Sequence, residues 1–226
     1  MINTAAFGQI TRRLQAKGVR LIAVSKFKPV EDIRSLYELG QRDFGENYVQ
    51  ELVAKQEQLP EDIQWHFIGH LQRNKVKYIA PFVHLIHSVD SFKLLTEINK
   101  EAAKHDRNIS CLLQMHVTGE STKTGMNDKE LLEFYGYYEA QKGHLKNVTV
   151  KGIMGMATFT EDQNQVRKDF QQLKSIFDSA RKSYFLFDHN FDTLSMGMSG
   201  DYELALQEGS TMVRIGSLLF GSRSTI

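Results

Sequence analysis

The sequence has a single cysteine, three prolines, almost no net charge and no long apolar run, and each scarcity removes a class of explanation. Cys111, alone in the apolar run ISCLLQM, allows no disulfide within the chain. A reducing cytoplasm is therefore the expected setting, and the thiol reads as a small buried apolar side chain on a strand. Lys plus Arg number 28 against 27 Asp plus Glu. Nothing electrostatic draws the chain to nucleic acid or to an anionic membrane, so the expected partner is a small molecule. Nowhere do eighteen apolar residues follow one another, and the N-terminal stretch MINTAAFGQITRRLQAKGVR is an amphipathic helix with charges inside it; neither export nor insertion is expected. Pro29, Pro60 and Pro81 fall between candidate elements, and no linker, low-complexity tract or repeat divides the chain. Residues 1–226 are expected to form one domain.

What is present is an alternation. After the first helix, short apolar, β-branched or aromatic runs are each followed by a stretch of helical period, the signature of parallel strands with helical crossovers. The runs span 20–25, 41–47, 63–69, 83–89, 109–117, 148–156, 192–198 and 211–221, with the second poorest in apolar residues. Helical stretches are expected near 30–39, 47–58, 72–79, 91–105, 127–141, 163–182 and 201–208. Eight such units predict a closed (β/α)8 barrel with an extra N-terminal helix, an open doubly wound sheet being the alternative. In a barrel all strand C-terminal ends meet at one mouth, where ligands bind.

Lys26 closes the first strand in AVSKFKP. A lysine in a partly desolvated pocket has its pKa lowered, and the neutral amine can form an imine with an aldehyde; a rim salt bridge would explain it as well. Lys28 is expected nearer solvent. SMGMSGD (195–201) and RIGSLLFG (214–221) place glycines and serines before helical turns at the last two strand ends. Gly197, Ser199, Gly216 and Ser217 are thus candidates for a phosphate cradle, against the plainer reading of glycine-serine turns. Arg214 lies among apolar residues and must have a partner, either a ring nitrogen of a ligand or a strand carboxylate such as Glu46. Asn47 suits a ligand contact or a helix N-cap. His70 suits a ligand contact or a backbone bond. Met154 and Met156 read as barrel filling or ring packing, and Lys123 sits in a Gly/Ser/Thr-rich turn. His66, His70, His84 and His87 lack the spacing of a specific metal site, so no metal is expected.

Taken together, AVSKFKP, FGENYVQE, WHFIGHLQRNK, TKTG, KGIMGMA, LSMGMSGDYELAL and GSTMVRIGSLLFG resemble the YggS/PROSC family of pyridoxal phosphate homeostasis proteins, in family order over roughly residues 20 to 223. The resemblance implies a barrel of the alanine racemase N-terminal type (fold type III) that binds pyridoxal 5′-phosphate (PLP). It implies that Lys26 holds PLP covalently as a Schiff base, the internal aldimine. Arg214 would face the pyridine nitrogen, Ser199, Gly216 and Ser217 would hold the phosphate, and Asn47, His70 and Met154 would lie around the cofactor. Two positions depart from the family: Ser217 stands where threonine is common, keeping the hydroxyl, and His116 where asparagine is more frequent, which puts the role of the loop after strand five in doubt.

An arginine opposite the ring nitrogen leaves the pyridine unprotonated and weakens it as an electron sink. Related racemases add a second base from a C-terminal β-domain, which is expected to be absent here. The expected function is accordingly intracellular PLP (vitamin B6) homeostasis by a monomer without catalytic turnover, which transiently contacts apo-enzymes that use PLP. A PLP-dependent amino-acid racemase of low activity and a cofactor-free Schiff-base aldolase are the alternatives.

Overall fold

A computed structural model describes residues 2–118 and 124–221. Lys123, singled out above, lies outside the described residues. The strands are β1 (Arg20–Val24), β2 (Asp43–Glu46), β3 (Gln64–Phe67), β4 (Leu85–Val89), β5 (Ile109–Gln114), β6 (Val148–Met154), β7 (Thr193–Ser195) and β8 (Met212–Ile215). All pair in parallel and in chain order, and β8 returns to β1, so the barrel closes. The helices are α1 (Thr4–Gln15), α2 (Val30–Glu38), α3 (Val49–Gln56), α4 (Val76–Ile79), α5 (Phe92–Ala103), α6 (Asp128–Gln141), α7 (Gln163–Ser183), α8 (Tyr202–Gln207) and α9 (Ser217–Phe220). Among the described residues no helix is long and apolar enough to cross a membrane.

Pleating sorts the strand side chains into two populations. One points into the barrel, where Ile22, Leu85, Leu112, Met154 and Met212 form a small cluster. The other, including Phe44, Trp65, Phe67, Ile86 and Leu113, meets the helices in the main core. Burying one such side chain is worth about 1.5–3 kcal/mol, so this outer layer is the dominant stabilising term. Strand two looked weak in the sequence because an inward position is Gly45. A Cβ there would lie 2.9 Å from Ile22 Cγ2, so glycine lets β1 and β2 pack closely.

Several apolar runs outlast their strands. The run 211–221 holds more than a strand: β8 ends at Ile215, and Ser217–Phe220 forms the helical turn expected after Gly216 and Ser217, from which Leu219 and Phe220 are buried. Helix α1 lies outside the alternating series: the Asn3 side chain caps it by accepting from Ala6 N–H, and Asn3 N–H donates to Leu219 O at 2.7 Å, tying the start of the chain to α9.

Candidate functional site

The segment after β1 is held from outside the barrel. Ser25 O accepts from Lys28 N–H at 3.0 Å and closes a turn with Lys26 and Phe27 at its centre. Phe27 adopts φ +61°, a conformation that costs a non-glycine residue roughly 1–2 kcal/mol; its ring packs against Tyr48 with centroids 5.2 Å apart. Helix α3 clamps both sides of the turn. Lys55 Nζ donates to Ser25 O at 2.8 Å, and Glu51 Oε1 accepts from Phe27 N–H at 2.6 Å. Lys55 also bonds Glu46 Oε1 at 2.8 Å and Glu51 at 2.7 Å, while Ser25 Oγ donates to Glu46 at 2.6 Å. Burial pushes the Glu46 carboxyl up to about 7 against the pull of Lys55. Lys26 is thus presented by a turn whose flanking peptides cannot drift. Lys28 is half-buried rather than solvent-facing, and its Nζ donates to Phe220 O at 2.9 Å.

Arg214 points inward from β8, two residues beyond Met212, and is 4% exposed. It is not paired with Glu46, whose partner is Lys55. Instead it donates to Ser195 Oγ at 2.7 Å and to Gly155 O at 2.9 Å. Burial lowers its pKa to about 10, partly offset by Asp201, so it stays charged at neutral pH. A guanidinium has five N–H groups, and only two are engaged among the described residues.

The turns after β7 and β8 are joined directly, since Gly216 N–H donates to Ser199 Oγ at 3.2 Å. Ser217 is exposed beside them, and Gly197 turns the chain out of β7. Asp201 accepts from Met198 N–H at 2.5 Å and shapes the Ser199 turn. Ser199 opens onto a cleft of about 800 Å³ shared with Met156, Ala157 and Tyr202. Because β7, β8 and β1 are neighbours, the serine turns, Arg214 and Lys26 all belong to one arc of the mouth.

Asn47 does not cap α3, whose N-cap is Tyr48 without a side-chain bond. Asn47 Oδ1 is buried with no hydrogen-bond partner among the described residues. Gly69 holds this corner: a Cβ on it would come within 2.2 Å of Asn47 O. The His70 side chain is half exposed, 3.5 Å from Asp90 Oδ2, above a second cleft of about 710 Å³ that includes Arg73 and Lys93. Met154, the last residue of β6, belongs to the inward cluster. Cys111 is fully buried, and burial pushes its thiol pKa up, away from nucleophilic use. Loop 116–125 is described only at its ends, where Gln114 Nε2 donates to Thr124 O at 2.9 Å.

An unpartnered buried amide oxygen, spare arginine donors and a serine hydroxyl against a backbone amide are the donor and acceptor set that a phosphorylated pyridine aldehyde needs. Residues 2–224 match the alanine racemase N-terminal domain family. Over 205 residues the chain is 42% identical to a pyridoxal phosphate homeostasis protein of Aquifex aeolicus (strain VF5), covering 90% of this chain and 87% of that one. The chain belongs to the family of pyridoxal phosphate homeostasis proteins. PipY of Synechococcus elongatus PCC7942, solved with PLP bound, superposes with TM-score 0.81 at 35% identity, covering 90% of this chain and 93% of that one. The likeness to alanine racemase of Streptomyces coelicolor A3(2) is one of fold, with TM-score 0.71, 16% identity, and coverage of 98% of this chain but 59% of the racemase.

Several supports of these strand ends were not singled out in the sequence. Lys55 and Glu51 are two of them; the one signal they offer is the i,i+4 spacing of an ion pair on a helix. Ser195 read as part of a turn motif, yet it is buried and bonds Arg214. His66 and His87 were weighed for a metal; they are hydrogen-bonded to each other, Nδ1 to Nε2, at 2.9 Å inside the barrel.

Proposed function

We propose that this protein binds pyridoxal 5′-phosphate at the barrel mouth as a Schiff base on Lys26 and serves intracellular PLP homeostasis without catalytic turnover. The observation that carries the reading is the convergence of Lys26, Arg214 and the Ser199–Gly216 bond on three neighbouring strand ends, in a chain similar over nine-tenths of its length to a protein solved with PLP. The cofactor supplies an aldehyde that an amine can capture and a pyridine ring able to delocalise charge.

Each residue then has a part. Lys26 is the amine, set by the turn that Lys55 and Glu51 clamp. Arg214 donates to the ring nitrogen and, being charged at neutral pH, keeps that nitrogen an acceptor. Ser199 and Ser217 donate to the phosphate from their hydroxyls, with the Gly216 N–H holding the Ser199 oxygen in place. Asn47 and His70 lie beside the ring, and Met154 forms the floor beneath it. A ring held unprotonated in this way stabilises a carbanion poorly, which favours holding over turnover. The clefts flanking the mouth leave room for an amine or a recipient enzyme to approach.

The test is a spectrum followed by a transfer. Purified protein mixed with PLP is expected to absorb in the visible, and then to restore activity when mixed with an apo-transaminase. A protein that stays colourless contradicts PLP binding. Inversion of chirality in a panel of amino acids contradicts the absence of turnover and makes the protein a racemase.

A further inference from the structure

The barrel interior holds a string of polar groups beyond the residues just assigned. Arg214 donates to Ser195 Oγ at 2.7 Å. Ser195 Oγ lies 3.3 Å from His87 Nδ1, His87 Nε2 lies 2.9 Å from His66 Nδ1, and His66 Nε2 lies 2.9 Å from Asp43 Oδ1. The string crosses from β8 through β7, β4 and β3 to the first residue of β2, at the end of the barrel opposite the mouth. His66, His87 and Ser195 are wholly buried.

Chemistry at the two ends fixes the direction of every bond. Arginine only donates, so Ser195 Oγ accepts from it and its own proton goes to His87 Nδ1. A carboxylate only accepts, so His66 Nε2 carries a proton. With both rings neutral, His66 Nδ1 is bare and His87 Nε2 donates to it; all four bonds are satisfied and all donors point from Arg214 towards Asp43. The surroundings favour that neutral state. Burial, then the repulsion from any charge on His66, from Arg214 and from any charge on His84, lowers His87 well below its ordinary pKa. Burial also lowers His66, with Asp43 opposing and Arg20 adding to the effect. His84, its ring 5.4 Å from that of His66, is pushed down to about 4 by burial, then by repulsion from any charge on His66 and by Arg20 and Lys151, with Asp43 opposing. Burial raises Asp43, but its bond to His66 and the charges of His66, Arg20 and His84 hold it below the usual carboxylate range.

We infer that Ser195, His87 and His66 are positioning residues for Arg214, holding its guanidinium in one orientation towards the cofactor ring and coupling that orientation to protonation at the Asp43 end of the barrel. The inference rests on Arg214 being the partner of the ring nitrogen. A proton added to His66 places hydrogens on both facing ring nitrogens. The His66–His87 bond then survives only if His87 moves its proton to Nδ1, which turns the Ser195 hydroxyl from a donor to His87 into an acceptor from both His87 and Arg214. The string therefore has two discrete arrangements, and Arg214 feels which one is present.

Nitrogen-15 NMR of the PLP-free protein at pH 7.5 reads the tautomers directly. Both rings are expected neutral with the proton on Nε2, and a charged ring or an Nδ1–H tautomer at His87 overturns the inference whatever PLP does. In the PLP-loaded protein, Ser195→Ala and His87→Phe are each expected to shift the pH titration of the visible band and to weaken PLP binding about tenfold. Asp43→Asn keeps an oxygen that accepts from His66 but removes the charge that favours protonated His66; it is expected to keep PLP affinity at pH 7.5 while moving the pH titration of the visible band to lower pH, and an unmoved titration overturns the coupling. Ser195→Ala removes one oxygen atom and serves if His87→Phe does not fold. If it leaves both band and affinity unchanged, the inference alone fails; if the wild type takes up no PLP, the proposed function fails with it.

Discussion

Lys55 shows how much a single side chain outside the mouth contributes to it. It is buried, bonds two carboxylates and holds the Ser25 carbonyl, so removing it strands the buried Glu46. Breaking a buried pair from one side costs about 3–5 kcal/mol, and Lys55→Met is expected to destabilise by roughly that amount in urea titrations. The loss should grow between pH 6 and pH 8. Glu46 already titrates near 7 with Lys55 present, and without it the folded state demands a proton that the unfolded chain has lost. A double variant, Lys55→Met with Glu46→Leu, should recover most of the stability because neither charge is then buried. Gly69 makes a second case at this scale. With its Cβ position 2.2 Å from Asn47 O, Gly69→Ala forces the β2 and β3 ends apart, and a loss of about 2–4 kcal/mol is expected together with weaker PLP binding.

Among the elements, α6 is the clearest instance of local sequence dictating structure. Asn127 accepts from Glu130 N–H while the Glu130 side chain accepts from Asn127 N–H, a reciprocal cap. Asn127→Ala is expected to cost about 1 kcal/mol in thermal or urea unfolding and to leave PLP binding intact. Strands one, four and five were legible because β-branched and apolar side chains fill both faces, as a buried parallel strand requires. Strand two was faint because Gly45 occupies an inward place that packing denies to any larger side chain. The apolar run 211–221 continues from β8 into α9; hydrophobicity marks burial without saying whether a strand or a helix supplies it, and the Gly216–Ser217 pair was what signalled the change. The placement of Lys26, Asn47, Ser199 and Arg214 at or just beyond strand ends was legible; their role towards a cofactor is the proposal. Their supports were not legible, because Lys55 reaches the site from a helix and the His66–His87 bond depends on two strands facing the same interior. The one available signal was a polar residue at inward parity in an apolar strand, shared by His66, His87 and Arg214.

For the whole molecule, the buried histidines set the acid limit. His66, His84 and His87 all have pKa values lowered in the fold, chiefly by burial, while the unfolded chain takes up protons near 6.5. Their contribution is complete above about pH 6.5 and is lost as pH falls towards the folded values. Glu46 runs the other way, gaining stability as pH falls from about 7, but it is one proton against three. The urea midpoint is therefore expected to drop between pH 7.5 and pH 5; a midpoint that holds or rises would show the histidines to be charged in the fold. The barrel brings the turn after β1 beside the turns after β7 and β8, and the proposed function depends on one lysine of the chain carrying the cofactor. Borohydride reduction of the PLP-loaded protein followed by peptide mapping tests it most directly. A single pyridoxyl-lysine at Lys26, lost in Lys26→Gln without loss of the fold, is the predicted result; label on another lysine, or none, contradicts the account.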